Sequence, residues 1–265
     1  MYSTLKLVRK YLHYYFTASN GKGHGVHSPF VFDFIQNVLR DKKQYGCYEQ
    51  IEDLRSVLLC KDSVIEVEDY GAGSSVISSN MRVVKDIAES SLKNKKFAQL
   101  LFRIVKYYKP ETILELGTSF GITTSYLASG NQSSTVYTLE GAENIALIAK
   151  KNFEKLGLQN IDLICVNFDE KLSSILERIN KVDLAFVDGN HQQGPTLQYF
   201  NLLLEKCGEK SILIFDDIHW SAGMEEAWKK IQQHPKVTLT INLFFMGLVF
   251  LNKDFKVKQH FVIRF

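Results

Sequence analysis

The sequence predicts an α/β protein: a mostly parallel sheet covered by helices on both faces, ended by an antiparallel pair and preceded by a mainly helical N-terminal region. Three observations carry this. Continuous apolar runs such as 112–116 and 211–215 read as strands buried on both faces. From about residue 97 onward these runs alternate with helical stretches, the order of βαβ units. Over 265 residues, 45% apolar and 12% aromatic side chains supply material for a packed core.

Taken in order, Leu5, Val8, Leu12, Tyr15 and Phe16 recur near helical spacing with Lys6, Arg9, Lys10 and His13 between them, so residues 1–16 read as an amphipathic helix. The run Asn20-Gly21-Lys22-Gly23-His24-Gly25 ends it, and Pro29 opens a second helix over 30–39. Residues 64–68 read as a short strand and 69–75 as a turn. A polar connector at 90–96 leads to a helix over 97–108. Strands are expected at 112–116, 135–139, 161–166, 184–187 and 211–215, with helices at 122–127, 143–156, 170–178 and 197–205. The runs 237–243 and 247–251 follow each other with no helix between them and should pair antiparallel at the sheet edge. A domain boundary is expected near residue 95, dividing an accessory region, 1–95, from a ligand-binding domain, 96–265. His24, His27, Ser28, Pro29 and Phe30 are candidates for a cover over the site or for interdomain packing.

Composition narrows the function classes. A net charge of +3, carried mostly by Lys, does not by itself imply nucleic acid. Cys47, Cys60, Cys165 and Cys207 are scattered without CxxC spacing, which fits neither a disulfide scaffold nor a zinc ribbon and points to a reducing cytoplasm. No apolar run approaches the roughly 20 residues of a transmembrane helix.

Open α/β sheets bind ligands beyond the carboxyl ends of their strands, so the first strand-to-helix turn of the regular series is where a site is expected. That turn is Glu115-Leu116-Gly117-Thr118-Ser119-Phe120-Gly121. Gly117 allows a tight turn and close ligand approach, and Gly121 allows the next helix to pack against the strand. A dinucleotide fingerprint would need glycine at position 119, which is Ser. Glu140 ends the second strand, 25 residues after Glu115, where a carboxylate can accept both hydroxyls of a ribose. Each feature alone is equally what an ordinary turn or a solvated strand end provides; together in a βαβ frame they point to a nucleoside cofactor. Asp69-Tyr70-Gly71-Ala72-Gly73-Ser74 imitates the glycine loop, but no buried strand precedes it and it reads as a turn or a substrate-side loop.

The run Ile113 to Gly121 resembles motif I of the class I S-adenosylmethionine-dependent methyltransferases, particularly the small-molecule O-methyltransferases of the catechol and caffeoyl-CoA type. The similarity continues through Glu140, through Val182 to His191 and through Ile212 to Trp220, covering about residues 97–251. It implies a Rossmann-like, seven-stranded, mostly parallel sheet with a reversed last strand, and S-adenosylmethionine as cofactor of the domain 96–265. By that resemblance Glu115 serves the methionine amino group through its local network. Gly117, Thr118, Ser119 and Gly121 lie beside the methionyl part, Glu140 binds the ribose, and Phe168, Asp169 and Asp188 complete the cofactor contacts.

Asp188 closes the fourth strand and Asp216-Asp217 the fifth, so three carboxylates are expected at one edge of the sheet, where like charges repel unless a cation or protons intervene. The metal-dependent relatives carry Asp, Asp and Asn at the matching positions and hold Mg²⁺ there. Asp217 departs from that pattern. Asp188, Asp216 and Asp217 are therefore candidate ligands of Mg²⁺ or another divalent cation, or else helix caps. His191, three residues after Asp188, falls where the catechol-type enzymes carry a lysine base, and an imidazole is a competent general base at neutral pH. His219 is the second candidate; a lone histidine equally serves structure.

The four prolines include no adjacent pair, which argues against the [DNS]PP[YFW] amino-methylating class, and no cysteine follows a proline, which argues against cytosine C5 methylation. The expected acceptor is a small molecule rather than a nucleic acid, and a homodimer is one state the sequence allows. Two rival readings remain: an NAD-dependent oxidoreductase on the same scaffold, and a non-catalytic nucleoside-binding or membrane-surface protein anchored by the basic first helix.

Overall fold

The computed structural model describes residues 1–23, 26–69 and 78–265, together with the side chains of all of these but 68, 69, 78 and 79. In chain order the elements are α1 (Thr4–Thr17), α2 (Pro29–Phe34) continued by a π-helical turn (Ile35–Leu39), α3 (Gly46–Leu59), β1 (Val64–Asp69), β2 (Ser78–Val83), α4 (Val84–Ser91) and α5 (Lys95–Tyr108). Then follow β3 (Thr112–Leu116), α6 (Ile122–Gly130), β4 (Thr135–Glu140), α7 (Glu143–Lys155), β5 (Ile161–Cys165), α8 (Phe168–Glu177), β6 (Val182–Val187), α9 (Gln193–Lys206) and β7 (Cys207–Asp216). The chain ends with α10 (Ala222–Gln233), β8 (Leu239–Asn242), β9 (Met246–Phe250) and β10 (Gln259–Val262). Every expected element from 97 to 251 is present. Sequence patterning does not predict α3, β2, α4, α10 or β10: α4 is eight residues long and ends in Ser90 and Ser91, and β10 is four residues of alternating exposure. Among the described residues no helix is long and apolar enough to cross a membrane.

The chain packs as two compact units, residues 42–171 and residues 1–41 with 172–265. In the unit 42–171, β3, β4 and β5 form parallel pairs in the order β3-β4-β5, with Leu116 opposite Leu139 and Glu140 opposite Cys165. β3 and β4 are largely buried, whereas β5 is half-exposed as befits an outer strand. One core joins Ile51, Leu54 and Leu58 of α3, Val84 and Ile87 of α4, Phe102 of α5 and Phe120, Ile122 and Tyr126 around the start of α6. The elements preceding residue 95 in this unit therefore pack into the same core as the first strand-to-helix turn. α5 ends at Lys109 in the left-handed conformation (φ 49°), and Pro110 stops the helix. β1 and β2 form an antiparallel hairpin from Val64↔Val83 to Asp69↔Ser78. Asn144 Nδ2 donates to the Glu66 carbonyl at 2.9 Å, tying the hairpin to α7. The loop resembling motif I at 70–74, and His24 of the glycine-rich run, lie outside the described residues.

In the unit 1–41 with 172–265 the strand order is β10-β8-β9-β7-β6. β7 runs parallel to β6, and β9 runs antiparallel to both β7 and β8. The expected antiparallel pairing of the two final runs is present, but two details differ. Outside the β1–β2 hairpin the described strands number eight rather than seven, and the reversed strand is not the last. β8 and β9 are joined by residues 243–245, too short for anything but an antiparallel turn, and β9 inserts between β7 and β8. That leaves the outer edge of β8 open, and β10 pairs with it in parallel, Gln259↔Leu239 to Val262↔Asn242. α1 packs through Tyr14 and Ala18 on Phe244 of the β8–β9 turn. Pro29 stands at the first position of α2, as the sequence predicts, and Ser28 caps the helix.

Candidate functional site

In the unit 42–171 the turn after β3 is held by backbone geometry that only some residues adopt. Gly117 has φ 99°, Ser119 φ 48° and Gly121 φ 79°. The Gly117 and Thr118 N–H groups both donate to the Leu139 carbonyl, at 3.0 and 3.2 Å, which locks the loop to the end of β4. Ser119 N–H donates to Glu140 Oε2 at 2.8 Å, and Glu140 Oε1 accepts from Ala142 N–H at 3.1 Å. A Cβ on residue 121 would stand 2.3 Å from Phe153 Cε1, so the partner that demands glycine here is the ring on α7 rather than the strand.

Beneath the loop, Glu115 is fully buried, and its Oε2 accepts hydroxyl hydrogens from Thr124 of α6 and, at 2.6 Å, from Thr138 of β4. Thr118 Oγ1 lies 2.6 Å from Thr138 Oγ1. This hydroxyl chain braces strand, loop and helix from inside, and Glu115 is its centre. Above the loop, Ser91 Oγ at the end of α4 lies 2.7 Å from Ser119 Oγ, a contact between distant residues that no local pattern announces. The Val166 N–H donates to the Glu140 carbonyl at 2.7 Å, and two residues on α8 begins with half-buried Phe168 and Asp169. The predicted residues Gly117, Ser119, Gly121, Glu140, Phe168 and Asp169 therefore sit around one strand end.

Glu140 itself is half-buried at the end of β4. Burial pushes its carboxyl above the ordinary range, against the pull of the Ala142, Ser119 and Gly141 N–H groups. Its two oxygens together offer about four lone-pair sites, so acceptor capacity remains beyond these backbone N–H groups. A carboxylate with spare lone pairs, beside a left-handed glycine loop and an α6 N-terminus with no side-chain cap, fits the hydroxyls of a nucleoside.

In the unit 1–41 with 172–265, Asp188 follows β6 and His191 Nε2 lies 3.6 Å from Asp188 Oδ1. Asn190 takes the left-handed conformation between them (φ 50°), and the His191 ring lies 6.4 Å from that of Trp220. His219 is engaged at both nitrogens: Nδ1 lies 2.8 Å from Glu225 Oε1, and Nε2 lies 3.0 Å from Asn242 Nδ2. The Asn242 Oδ1 accepts Phe244 N–H at 2.8 Å, which orients the amide so that its nitrogen donates to the imidazole. His219 also stacks on Phe244 at 5.0 Å. Glu225 collects Tyr2, Lys10 and His219; burial raises its carboxyl, but these three partners outweigh it and hold the group below its usual range. Sequence reading missed Glu225 and Asn242, because polar residues on α10 and β8 carry no motif.

The acidic cluster does not assemble as a metal centre. Asp216 is buried at the end of β7 opposite Met246, and Asp217 takes the left-handed conformation (φ 51°), its N–H donating to the Phe245 carbonyl at 2.7 Å. Among the described residues no group of three or more His, Cys, Asp or Glu side chains is placed to hold a metal ion. Neither aspartate caps the following helix: Ser221 does, accepting the Met224 N–H at 3.1 Å.

Residues 114–218 match the methyltransferase-domain family Methyltransf_24. The chain is 19% identical to an O-methyltransferase from Bacillus cereus whose crystal structure was determined in complex with SAH (S-adenosylhomocysteine). That likeness covers 83% of this chain and 97% of the other, with a TM-score of 0.56. The fold is that of the class I methyltransferases. The matched segment contains the glycine loop, Glu140, the Asp188–His191 pair and the Asp216–Asp217 pair. In sequence the chain is similar to the uncharacterized protein R132 of Acanthamoeba polyphaga mimivirus, 27% identical over 45% of this chain and 58% of that one. It also resembles a tRNA (guanine-N(7)-)-methyltransferase of Mycoplasma mobile, 35% identical over 30% of this chain and 40% of that one. The chain thus spans about half the length of the curated relatives it matches.

Proposed function

We propose that the chain is an S-adenosylmethionine-dependent O-methyltransferase acting on a small hydroxyl-bearing acceptor in the cytoplasm, with residues 1–95 as its accessory region. The observation that carries this is the left-handed loop 117–121 tied to Glu140 by the Ser119 N–H at 2.8 Å, within a matched methyltransferase segment. Glu140 accepts the ribose hydroxyls, loop 117–121 takes the methionyl part with Glu115 bracing it, and Phe168 and Asp169 contact the adenine. The cofactor, when bound, supplies a methyl group on a sulfonium whose departure needs no protein nucleophile.

Alignment and deprotonation of the acceptor are then what the chain contributes. His191 takes the hydroxyl proton, and Asp188, its Oδ1 3.6 Å from His191 Nε2, stabilises the imidazolium that forms. His219 has both nitrogens engaged and is the lesser base candidate. The mild net charge of +3 favours a small acceptor over nucleic acid.

Calorimetry tests the reading: S-adenosylhomocysteine binds in the micromolar range, about 8 kcal/mol, and NAD far more weakly. Equal or tighter NAD binding would sink it. Glu140→Ala weakens S-adenosylhomocysteine by about 1.5–3 kcal/mol, and an unchanged affinity in a folded variant removes Glu140 from the site. Because the ionised carboxylate is the acceptor and its pKa is raised, affinity in the parent declines with acidification, starting above the ordinary value of 4.5. The folding sign is opposite: this carboxyl's contribution to stability is full below its unfolded pKa and diminishes as pH rises through the folded one. Flat affinity from neutrality down to that ordinary value would contradict this assignment.

No step is routed through a divalent ion, since Asp188, Asp216 and Asp217 do not form a donor group. Under this reading Mg²⁺, Mn²⁺ or Ca²⁺ leaves the melting temperature of the free chain unchanged. A saturable rise that disappears in Asp216→Ala would restore the metal-assisted alternative. Tritiated methyl incorporated into RNA rather than into small hydroxyl compounds would move the acceptor to nucleic acid.

A further inference from the structure

Around α1 the side chains fall into three arcs at 100° per residue. Tyr14, Leu7 and Tyr11 face inward, where Tyr11 and Tyr14 meet Phe244 at 5.1 and 5.3 Å. Leu5, Val8, Leu12, Tyr15 and Phe16 fill an adjoining arc of about 100° that faces solvent, with Leu5 82% and Phe16 75% exposed. The third arc, of similar width, carries Arg9, His13, Lys6 and Lys10, and these line a cleft of about 520 Å³ between α1 and the β8–β9 turn.

Charge in that cleft is unbalanced. Its only carboxylate, Glu225, is taken by Lys10 at 2.8 Å, whereas Lys6 lies over the Tyr2 ring at 3.8 Å and neither Lys6 nor Arg9 has an ion pair among the described residues. Five apolar side chains kept in water beside unpaired cations are unfavourable for a free-standing surface. The pairing suits a lipid interface, where the apolar arc enters the acyl boundary and the cations meet phosphate headgroups.

We propose that α1 docks this protein on an anionic lipid surface, with Leu5, Leu12 and Phe16 inserted and Lys6 and Arg9 bound to headgroup phosphates. A soluble anion would need the cations alone and would leave the apolar arc unexplained. A second copy would cover the apolar arc but offers nothing to the cations.

The test is co-sedimentation of the full chain with vesicles of phosphatidylglycerol mixed with phosphatidylcholine, and with pure phosphatidylcholine. Binding is expected to the mixed vesicles, weaker to the neutral ones, and declining as salt rises. Leu12→Glu/Phe16→Glu lowers binding by about tenfold or more, and Arg9→Glu lowers it on the anionic vesicles alone. All three positions are exposed, so unchanged melting temperatures check that the variants fold. Absence of binding to the anionic vesicles overturns the proposal, as does full binding by the double variant. Displacement by inorganic phosphate with the double variant unaffected would make the cleft a soluble-anion site instead. A dimer in the parent that the double variant splits would assign the arc to a second copy.

Discussion

His191→Ala is expected to lower turnover by about 10²- to 10⁴-fold while leaving S-adenosylhomocysteine affinity unchanged, once an acceptor is in hand. The reason lies in one pair: Asp188 Oδ1 stands 3.6 Å from His191 Nε2, near enough to stabilise an imidazolium once the ring has taken a proton. Asp188→Asn acts in the same direction, because an amide cannot stabilise the imidazolium charge. In the proposed reaction the two side chains act on a single proton, so the double variant should be little worse than His191→Ala alone. Added imidazole should restore part of the loss. Turnover within about tenfold of the parent in His191→Ala would transfer the base role elsewhere, and the first place to look is His219.

Gly121→Val is expected to destabilise the fold by roughly 3 kcal/mol, seen as a fall in melting temperature of about 6–12 °C. Two costs add. A β-branched side chain at φ 79° is strained by about 1–2 kcal/mol. Its Cβ would also stand 2.3 Å and 2.6 Å from Phe153 and 3.3 Å from Ala149 Cβ, in a region where Phe153 is 5% and Ala149 0% exposed. Phe153 cannot swing clear without opening the core. Phe153→Ala alone should cost about 3–5 kcal/mol. Combined with Gly121→Val it should cost less than the two together, because the inserted side chain occupies the vacated space. Strict additivity would show that the clash is not the origin of the effect.

How far the sequence reaches depends on the range of the interaction involved. Apart from α10, the strand-to-helix series from 97 to 251 was legible because hydrophobic periodicity is local and the burial of a parallel strand leaves a continuous apolar run. α4 was not legible: eight residues with a serine-rich end carry too little periodicity, and the helix is held by Val84, Ile87 and Ala88 in a core shared with α3 and α5. The strand β10 was missed for a related reason, since what makes Gln259–Val262 a strand is the open edge of β8.

The candidate site divides in the same way. By itself the sequence determined the glycine turn at 117 and 121, the carboxylate at 140 ending a strand, and Asp188 three residues before His191, since each is a residue type at a short spacing. Only the tertiary structure decided what these residues do to one another. It made Phe153 the reason for Gly121, put Glu115 at the centre of a hydroxyl network with Thr124 and Thr138, and set Ser91 against Ser119. It also engaged both nitrogens of His219 and gave Asp217 a left-handed backbone. Hydrogen bonds such as Glu115–Thr138, His219–Asn242 and Ser91–Ser119, between residues 23 to 28 positions apart, depend on where whole elements come to rest, and that is settled by the burial of apolar faces, which no spacing of polar residues records.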